Sequence, residues 1–183
     1  MNSRHGGSPD LLDDAGWLDG FLTQWGYTAA GRPSASERAK LVELRAVLRR
    51  LAETIAGGES PGSADLAALD GVLAGASLRR GLEPDRLDLR LAPLRPDWRW
   101  VRSELGASFV ELVAGGEPDR LKVCDNPDCR FAFYDVSKNR SRRWCAQATC
   151  GNRHKVQQFR ERERARLRRG APPAASRTSP PSG

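Results

Sequence analysis

The chain has 183 residues, of which 39% are hydrophobic and 29% charged, a composition typical of a globular protein with polar ends. No stretch approaches 18 consecutive apolar residues, and the first residues lack an apolar signal core, which argues against membrane insertion and secretion. The net charge of +7 is unevenly spread: residues 1–118 carry a net of −3, and residues 119–170 a net of +9. We therefore expect a cytoplasmic protein whose C-terminal part binds a polyanion, most often nucleic acid.

The first part of the chain is predicted to be helical. Residues 1–10 are rich in Gly, Ser and Pro and are expected to form a disordered leader. Apolar residues at helical spacing predict a short helix within residues 11–30. A longer helix follows, with Ser34 and Glu37 at capping-box spacing and Gly57-Gly58 at its end. Its apolar positions recur every three or four residues: Leu41, Leu44, Val47, Leu48, Leu51 and Ile55.

Residues 60–118 are predicted to add two helices and a hairpin. Ser63 is expected to cap an amphipathic helix with Leu66, Leu69, Val72 and Leu73 on its apolar side. Leucines then alternate with charged residues, which predicts a half-buried strand packed on the helices as part of a hairpin. These leucines are Leu87, Leu89 and Leu91, and Glu83-Pro84-Asp85 is the predicted turn. Helical spacing resumes from Trp98 to Val113.

These elements predict an α+β protein in two parts. Residues 11–118 should form a mostly helical N-terminal domain with one β-hairpin. Residues 119–169 should form a small four-Cys zinc-binding module made of a hairpin and a basic C-terminal helix. Residues 170–183, rich in Pro, Ser and Ala, are expected to form a disordered tail.

The cysteines have the spacing Cys-x4-Cys-x15-Cys-x4-Cys, and they are Cys124, Cys129, Cys145 and Cys150. Two short cysteine pairs in one chain can supply the four tetrahedral corners that zinc prefers. Asn126-Pro127-Asp128 has the residues of a tight turn between the first two. The residues between the two pairs are expected to form a hairpin, with Phe131, Phe133 and Val136 in strands and a turn at Ser137-Lys138-Asn139. We predict one structural Zn²⁺, with disulfides or a thiol redox switch as the alternatives.

The cysteine segment resembles the CGNR zinc finger, a family named for the motif that stands here as Cys150-Gly151-Asn152-Arg153. The resemblance covers about residues 119–165 and includes Cys124–Cys129, Phe133-Tyr134-Asp135 and Ser141–Cys145. In that family the finger follows an N-terminal α/β domain called ABATE, which residues 13–116 resemble in the order of their elements. The resemblance implies a bacterial, stress-induced transcriptional regulator whose finger binds DNA.

Two groups of residues are candidates for contacts with nucleic acid. The first lies between the cysteine pairs: Lys138, Arg140, Arg142 and Arg143. The second follows the last cysteine on a predicted helix that reaches Arg169: Arg153, Lys155, Gln157, Arg160 and Arg164. Most of these side chains are expected to contact phosphate, and Gln157, Arg153 and Arg160 could also contact bases.

Other interpretations of the same residues stay open. The run from Arg162 to Arg169 is also typical of a solvated helix face. Trp144 is expected to cover the zinc hairpin, Asn152 to hydrogen-bond the cysteine turn, and Val156 and Phe159 to pack the helix onto that hairpin.

The leading hypothesis is a DNA-binding regulator whose N-terminal domain supplies sensing, dimerisation or both. The partner would be double-stranded DNA, a homodimer could form through the N-terminal domain, and the small-molecule effector is unknown. A zinc-stabilised module that binds protein or RNA is the alternative. Enzymatic activity is not expected, because four thiolates leave zinc no open position and the chain has only two histidines.

Overall fold

A computed structural model of the chain describes Ser3 and residues 9–169. The described residues form two compact units, which divide after Cys145. The predicted tail at 170–183 lies outside the described residues, and so does most of the predicted leader at 1–10. At the end of that leader, the Asp10 carboxylate accepts a hydrogen bond from the Leu12 N–H and pairs with Arg45 at 2.6 Å.

The predicted α+β class is confirmed: helices predominate, and two small antiparallel hairpins accompany them. In the first unit the order is α1 (Ala15–Gln24), α2 (Ala35–Ala56), α3 (Ser63–Leu73), β1 (Leu78–Leu82), β2 (Leu89–Pro93), α4 (Trp98–Ala114), β3 (Leu121–Val123) and β4 (Ala132–Tyr134). The second unit contains one turn of π-helix (Gln147–Gly151) and α5 (Asn152–Arg168). Among the described residues, no helix is both long enough and apolar enough to cross a membrane.

Helix α2 begins and ends where the sequence predicts. The Ser34 hydroxyl accepts a hydrogen bond from the Glu37 N–H, and Gly57 closes the helix. Only half of the predicted capping box forms, because the Glu37 carboxylate pairs with the buried Arg102 on α4. This ion pair joins two helices and leaves the start of α2 capped by Ser34.

The core of the first unit consists of two adjoining clusters. One contains buried residues of α2, α3 and α4 together with two residues of the second hairpin: Leu44, Leu48, Leu51, Ala52, Leu69, Phe109, Leu121 and Ala132. The other lies around α1 and the start of α4: Leu12, Leu18, Leu22, Leu41, Trp98 and Val101. The predicted domain boundary at residue 118 stays a prediction, but burial of Leu121 and Ala132 shows that hydrophobic packing continues across it.

Two predictions for residues 60–93 need correction. Helix α3 contains Ser63 as its first residue, and its N-cap is Gly62, so Ser63 is not the cap. The hairpin β1–β2 forms, with Leu82 opposite Leu89, but its leucines are not half-buried. Leu87 lies in the turn before β2 and is 92% exposed, and Leu89 and Leu91 are 74% and 65% exposed, because the strands of this ribbon pack mainly against each other.

Helix α5 forms as predicted, directly after Cys150 and Gly151. Its apolar residues Val156 and Phe159 are 48% and 69% exposed. Helix α5 has no buried residue, and its seven basic and two acidic residues give it a net charge of +5.

Candidate metal centre and nucleic-acid interface

The four predicted ligands converge. The Sγ atoms of Cys124, Cys129, Cys145 and Cys150 all lie within 4.8 Å of one another, and Cys129 and Cys145 approach to 3.6 Å. Four sulfurs around zinc at about 2.3 Å would be separated by about 3.8 Å, so the cluster has nearly the size that zinc requires. All four cysteines lie within the described residues and form no disulfide. This arrangement can bind one structural zinc ion, and its four thiolates would fill the coordination shell.

The first cysteine pair lies in a tight turn, as predicted. The Asn126 carbonyl accepts a hydrogen bond from the Cys129 N–H at 2.9 Å, and its side-chain oxygen accepts one from the Asp128 N–H at 3.1 Å. The hairpin predicted between the two cysteine pairs is wrong: Phe133 lies in β4, but Phe131 and Val136 lie outside any strand. Strand β4 pairs with β3, which precedes Cys124, so the hairpin encloses the first pair and does not lie between the pairs.

In the second cysteine pair, Cys145 precedes a π-helical turn at Gln147–Gly151 and Cys150 lies within it. The Gly151 N–H donates to the Ala146 carbonyl, and the Asn152 amide donates to the Ala148 carbonyl at 3.1 Å. The predicted bond from Asn152 to the cysteine turn is therefore present. Asn152 serves local structure, and Arg153, the next residue of the motif, stays exposed.

A buried carboxylate that sequence reasoning did not single out organises the loop between the pairs. Asp135 is fully buried and accepts hydrogen bonds from Lys122 Nζ at 2.8 Å, from the Ser137 N–H and hydroxyl, and from the Arg142 N–H. Burial opposes its ionisation, but these donors outweigh burial and hold the pKa of Asp135 well below its ordinary value. An Asp two residues before Ser137, at the end of a strand, is an Asx-turn signal that could have predicted part of this role.

Helix α2 holds the first cysteine turn from outside the module. The Arg49 guanidinium donates to the carbonyls of Cys129 and Arg130, at 3.3 and 2.6 Å. Arg130 in turn pairs with Glu53, one helical turn beyond Arg49. Nothing local in the sequence indicates this contact, because Arg49 and Cys129 are 80 residues apart.

Three of the four candidate residues in the loop between the pairs already have partners in the chain. Arg140 pairs with Glu117 and Asp119. Arg142 donates to the Cys145 carbonyl at 2.6 Å and lies over the Phe133 ring. Arg143 pairs with Asp125 at 2.6 Å and lies over the Trp144 ring. Lys138 is exposed.

The candidate residues on α5, in contrast to those of the loop, lie on an exposed helix surface. Arg153, Lys155, Gln157, Arg160 and Arg164 are all exposed, and within residues 9–169 none of the four cations forms an ion pair. Arg153, Gln157 and Arg160 line one shallow concavity, together with Ala148, Thr149, Asn152 and Val156. Contact of any of these residues with nucleic acid stays a prediction.

Two family models match the chain. The CGNR zinc finger matches residues 120–163. The ABATE model, described as "Putative stress-induced transcription regulator", matches residues 1–116, which is more than half of the chain. No curated protein gives a match.

Proposed function

Because the chain belongs to the ABATE family of stress-induced transcription regulators, and carries a CGNR zinc finger, we propose that it binds double-stranded DNA through α5. The observation that carries the proposal is the net charge of +5 on a helix with no buried residue, directly after the last zinc ligand. Phosphates attract such a helix regardless of sequence, and an α-helix fits the major groove. Zinc would fix the start of the helix and take no part in contacts.

The concavity at the start of α5 is the proposed place of base contacts. Arg153, Gln157 and Arg160 lie at intervals of three and four residues, so they share one helix face. Arginine can bond bidentately to guanine and glutamine to adenine, whereas Lys155 and Arg164 suit phosphate. The loop residues Arg140, Arg142 and Arg143 have a lesser role in this proposal, since a DNA contact would compete with their intrachain partners.

A salt series tests the proposal. Fluorescence anisotropy with a labelled duplex should show an affinity that falls with salt, by a log–log slope of about −0.9 for each phosphate contact. The double variant Arg153→Ala/Arg160→Ala should lower the affinity, and because both side chains are proposed to contact bases, the slope should change by less than the value of about 1.8 expected for two lost phosphate contacts. Arg95→Ala/Arg99→Ala is the matched control, since it removes two exposed charges from the first unit. A salt-independent affinity, or equal losses in both variants, rejects the proposal.

Protein or RNA binding by the same helix is the alternative partner class. Competition distinguishes the two: unlabelled duplex DNA should displace the labelled duplex more effectively than double-stranded RNA of the same sequence. Stronger displacement by RNA would support the alternative. A partner that survives nuclease treatment and needs Arg153 and Arg160 would indicate a protein.

We also propose that two copies associate through the hairpin β1–β2. By register and alternation, Leu78, Leu82, Leu89 and Leu91 share one face of a ribbon that is barely stable alone. The turn at 83–88 has a net charge of −2, and the strands carry three arginines: Arg79, Arg80 and Arg90. An antiparallel pair of hairpins would bury the leucines and bring Arg80, which shares their face, toward the acidic turn of the other copy, a self-complementary contact of two-fold type.

Sedimentation velocity tests the dimer. The unaltered chain should sediment as a dimer at micromolar concentration, and Leu89→Glu/Leu91→Glu should convert it to a folded monomer. Leu66→Glu, which alters an exposed leucine on α3, is the control and should leave the dimer intact. A monomeric unaltered chain would reject the interface.

The proposal places the chain in a reducing compartment such as the cytoplasm, where thiolates stay available to zinc. It assigns no enzymatic activity, because a shell of four thiolates leaves no position for a substrate.

A further inference from the structure

The first unit contains a cavity of about 280 Å³ between α1, α2 and α4. Its lining is almost entirely apolar and includes four aromatic rings: Trp17, Phe21, Trp98 and Phe109, with Leu41 and Leu105 among the aliphatic residues. Trp17 and Phe21 stack at 5.6 Å between ring centroids, and both line the cavity from α1. Exposed Ser108 and Leu112 also line the cavity and mark its mouth.

A cavity of this size is not ordinary packing. Protein interiors are close-packed, with few voids larger than a water molecule, and an engineered apolar cavity of about 150 Å³ in another protein binds benzene. Such a site stabilises bound water poorly, because few polar groups there can form hydrogen bonds with it. The cavity is larger than that example and is lined by rings, so its lining suits a molecule with one or two aromatic rings.

The lining has one charged side chain, and it is already neutralised. Arg45 Nη1 donates to the Asp10 carboxylate and to the Ser3 hydroxyl, both at 2.8 Å, and the pair Arg45–Asp10 is largely buried. An added carboxylate would place a second negative charge beside Asp10 in an apolar site, which is costly. A neutral oxygen or amide can accept a hydrogen bond from the guanidinium without that cost.

We propose that this cavity is a binding site for an uncharged aromatic small molecule that carries one hydrogen-bond acceptor. The rings occupy the space between α1, α2 and α4, and the acceptor meets Arg45. This inference goes beyond the proposed DNA binding and does not depend on it, since every residue it uses lies in the first unit.

Calorimetry with two probes of the same shape tests the proposal. Naphthalene-2-carboxamide is neutral and carries an acceptor, and naphthalene-2-carboxylate carries a charge in its place. We expect the carboxamide to bind the full-length, zinc-loaded protein with one-to-one stoichiometry, at least tenfold more tightly than the carboxylate. No binding of the carboxamide at millimolar concentration would overturn the site, and tighter binding of the carboxylate would overturn the ligand class.

A pair of variants on α4 tests the location. Ser108→Phe places a ring at the mouth of the cavity and should weaken carboxamide binding at least tenfold. Val110→Phe adds a ring to an exposed position that does not line the cavity, so it should leave the affinity unchanged. Both positions are exposed, so both variants should fold, which circular dichroism can check. Equal affinity in Ser108→Phe and the unaltered protein would overturn the placement.

Discussion

The helical core and the cysteine module are stabilised by different interactions. In the core, Leu44, Leu48 and Leu51 of α2 are 2–4% exposed, and hydrocarbon burial stabilises their packing. In the module, the most deeply buried side chains are Cys124, Cys150 and Asp135, which are polar or ionisable. Burial of such groups is favourable only when a metal or hydrogen bonds satisfy them. The core should therefore resist chelators and acid, whereas the module should resist neither.

Loss of a zinc ligand should have the largest effect and should distinguish the module from the core most clearly. Cys150→Ser should abolish stoichiometric zinc binding and disorder the residues around the cysteines, because zinc contributes about 10–16 kcal/mol in comparable fingers. The signals of the α2 core should persist in an amide NMR spectrum, since its apolar contacts do not involve the metal. Thr149→Ala, at the neighbouring exposed position, is the control for local change. Full zinc content with an ordered module in Cys150→Ser would contradict the assignment.

Replacement of Asp135 should have the next largest effect. Asp135→Asn replaces an acceptor with an amide whose NH₂ group faces the donors around it, and it leaves Lys122 without its buried partner. We therefore expect the free energy of unfolding to fall by about 3–5 kcal/mol. Because the folded pKa of Asp135 is lowered, its contribution is present above its ordinary pKa and is lost as the pH falls below about 4. Urea unfolding at several pH values should therefore show a difference between the two proteins that shrinks in acid. Asp128→Asn, at an exposed position in the cysteine turn, should be nearly neutral.

A substitution that creates a new cavity in the helical core should lower the free energy of unfolding without changing the zinc content. Leu51→Ala removes a side chain that is 2% exposed and should cost about 2–5 kcal/mol. The exposed Leu66 gives the control, and Leu66→Ala should stay within about 0.5 kcal/mol. Zinc content and the acid sensitivity of the module should be unchanged in both. Zinc loss in Leu51→Ala would show that the two regions are not energetically separate.

The contact of Arg49 with the cysteine turn should give the smallest effect. Arg49→Met keeps the aliphatic stem and removes the donors to Cys129 and Arg130, for an expected loss of about 1 kcal/mol. Zinc release to a competing chelator should become faster, because the first cysteine turn loses its support from α2. Arg38→Met, on the same helix but away from the cysteines, should leave the release rate unchanged.

Features set by neighbouring residues could be predicted from the sequence. The periodicity of α2 and α4, the Ser34 cap and the turn at Asn126 are local, and the structure contains them. The cysteine spacing predicted the ligand set for the same reason, since the two members of each pair are close in sequence. The Gly62 cap was missed because Gly62 and Ser63 are both common at helix starts.

Features that join distant residues could not be predicted in this way. Strand β4 pairs with β3 instead of the residues that follow it, because Leu121 and Ala132 gain burial against the helical core. The exposure of Leu89 and Leu91 shows the same limit, since alternation predicts a strand but not what covers it.

The sequence by itself determined the helices, the four thiolates and the basic segment after them, because each depends on residue type and short spacing. Only the tertiary structure decided that Asp135 is the buried acceptor of the module, that Arg49 supports the first cysteine turn, and that α1, α2 and α4 enclose a cavity. These features depend on where the chain returns in space, and local spacing contains no information about that.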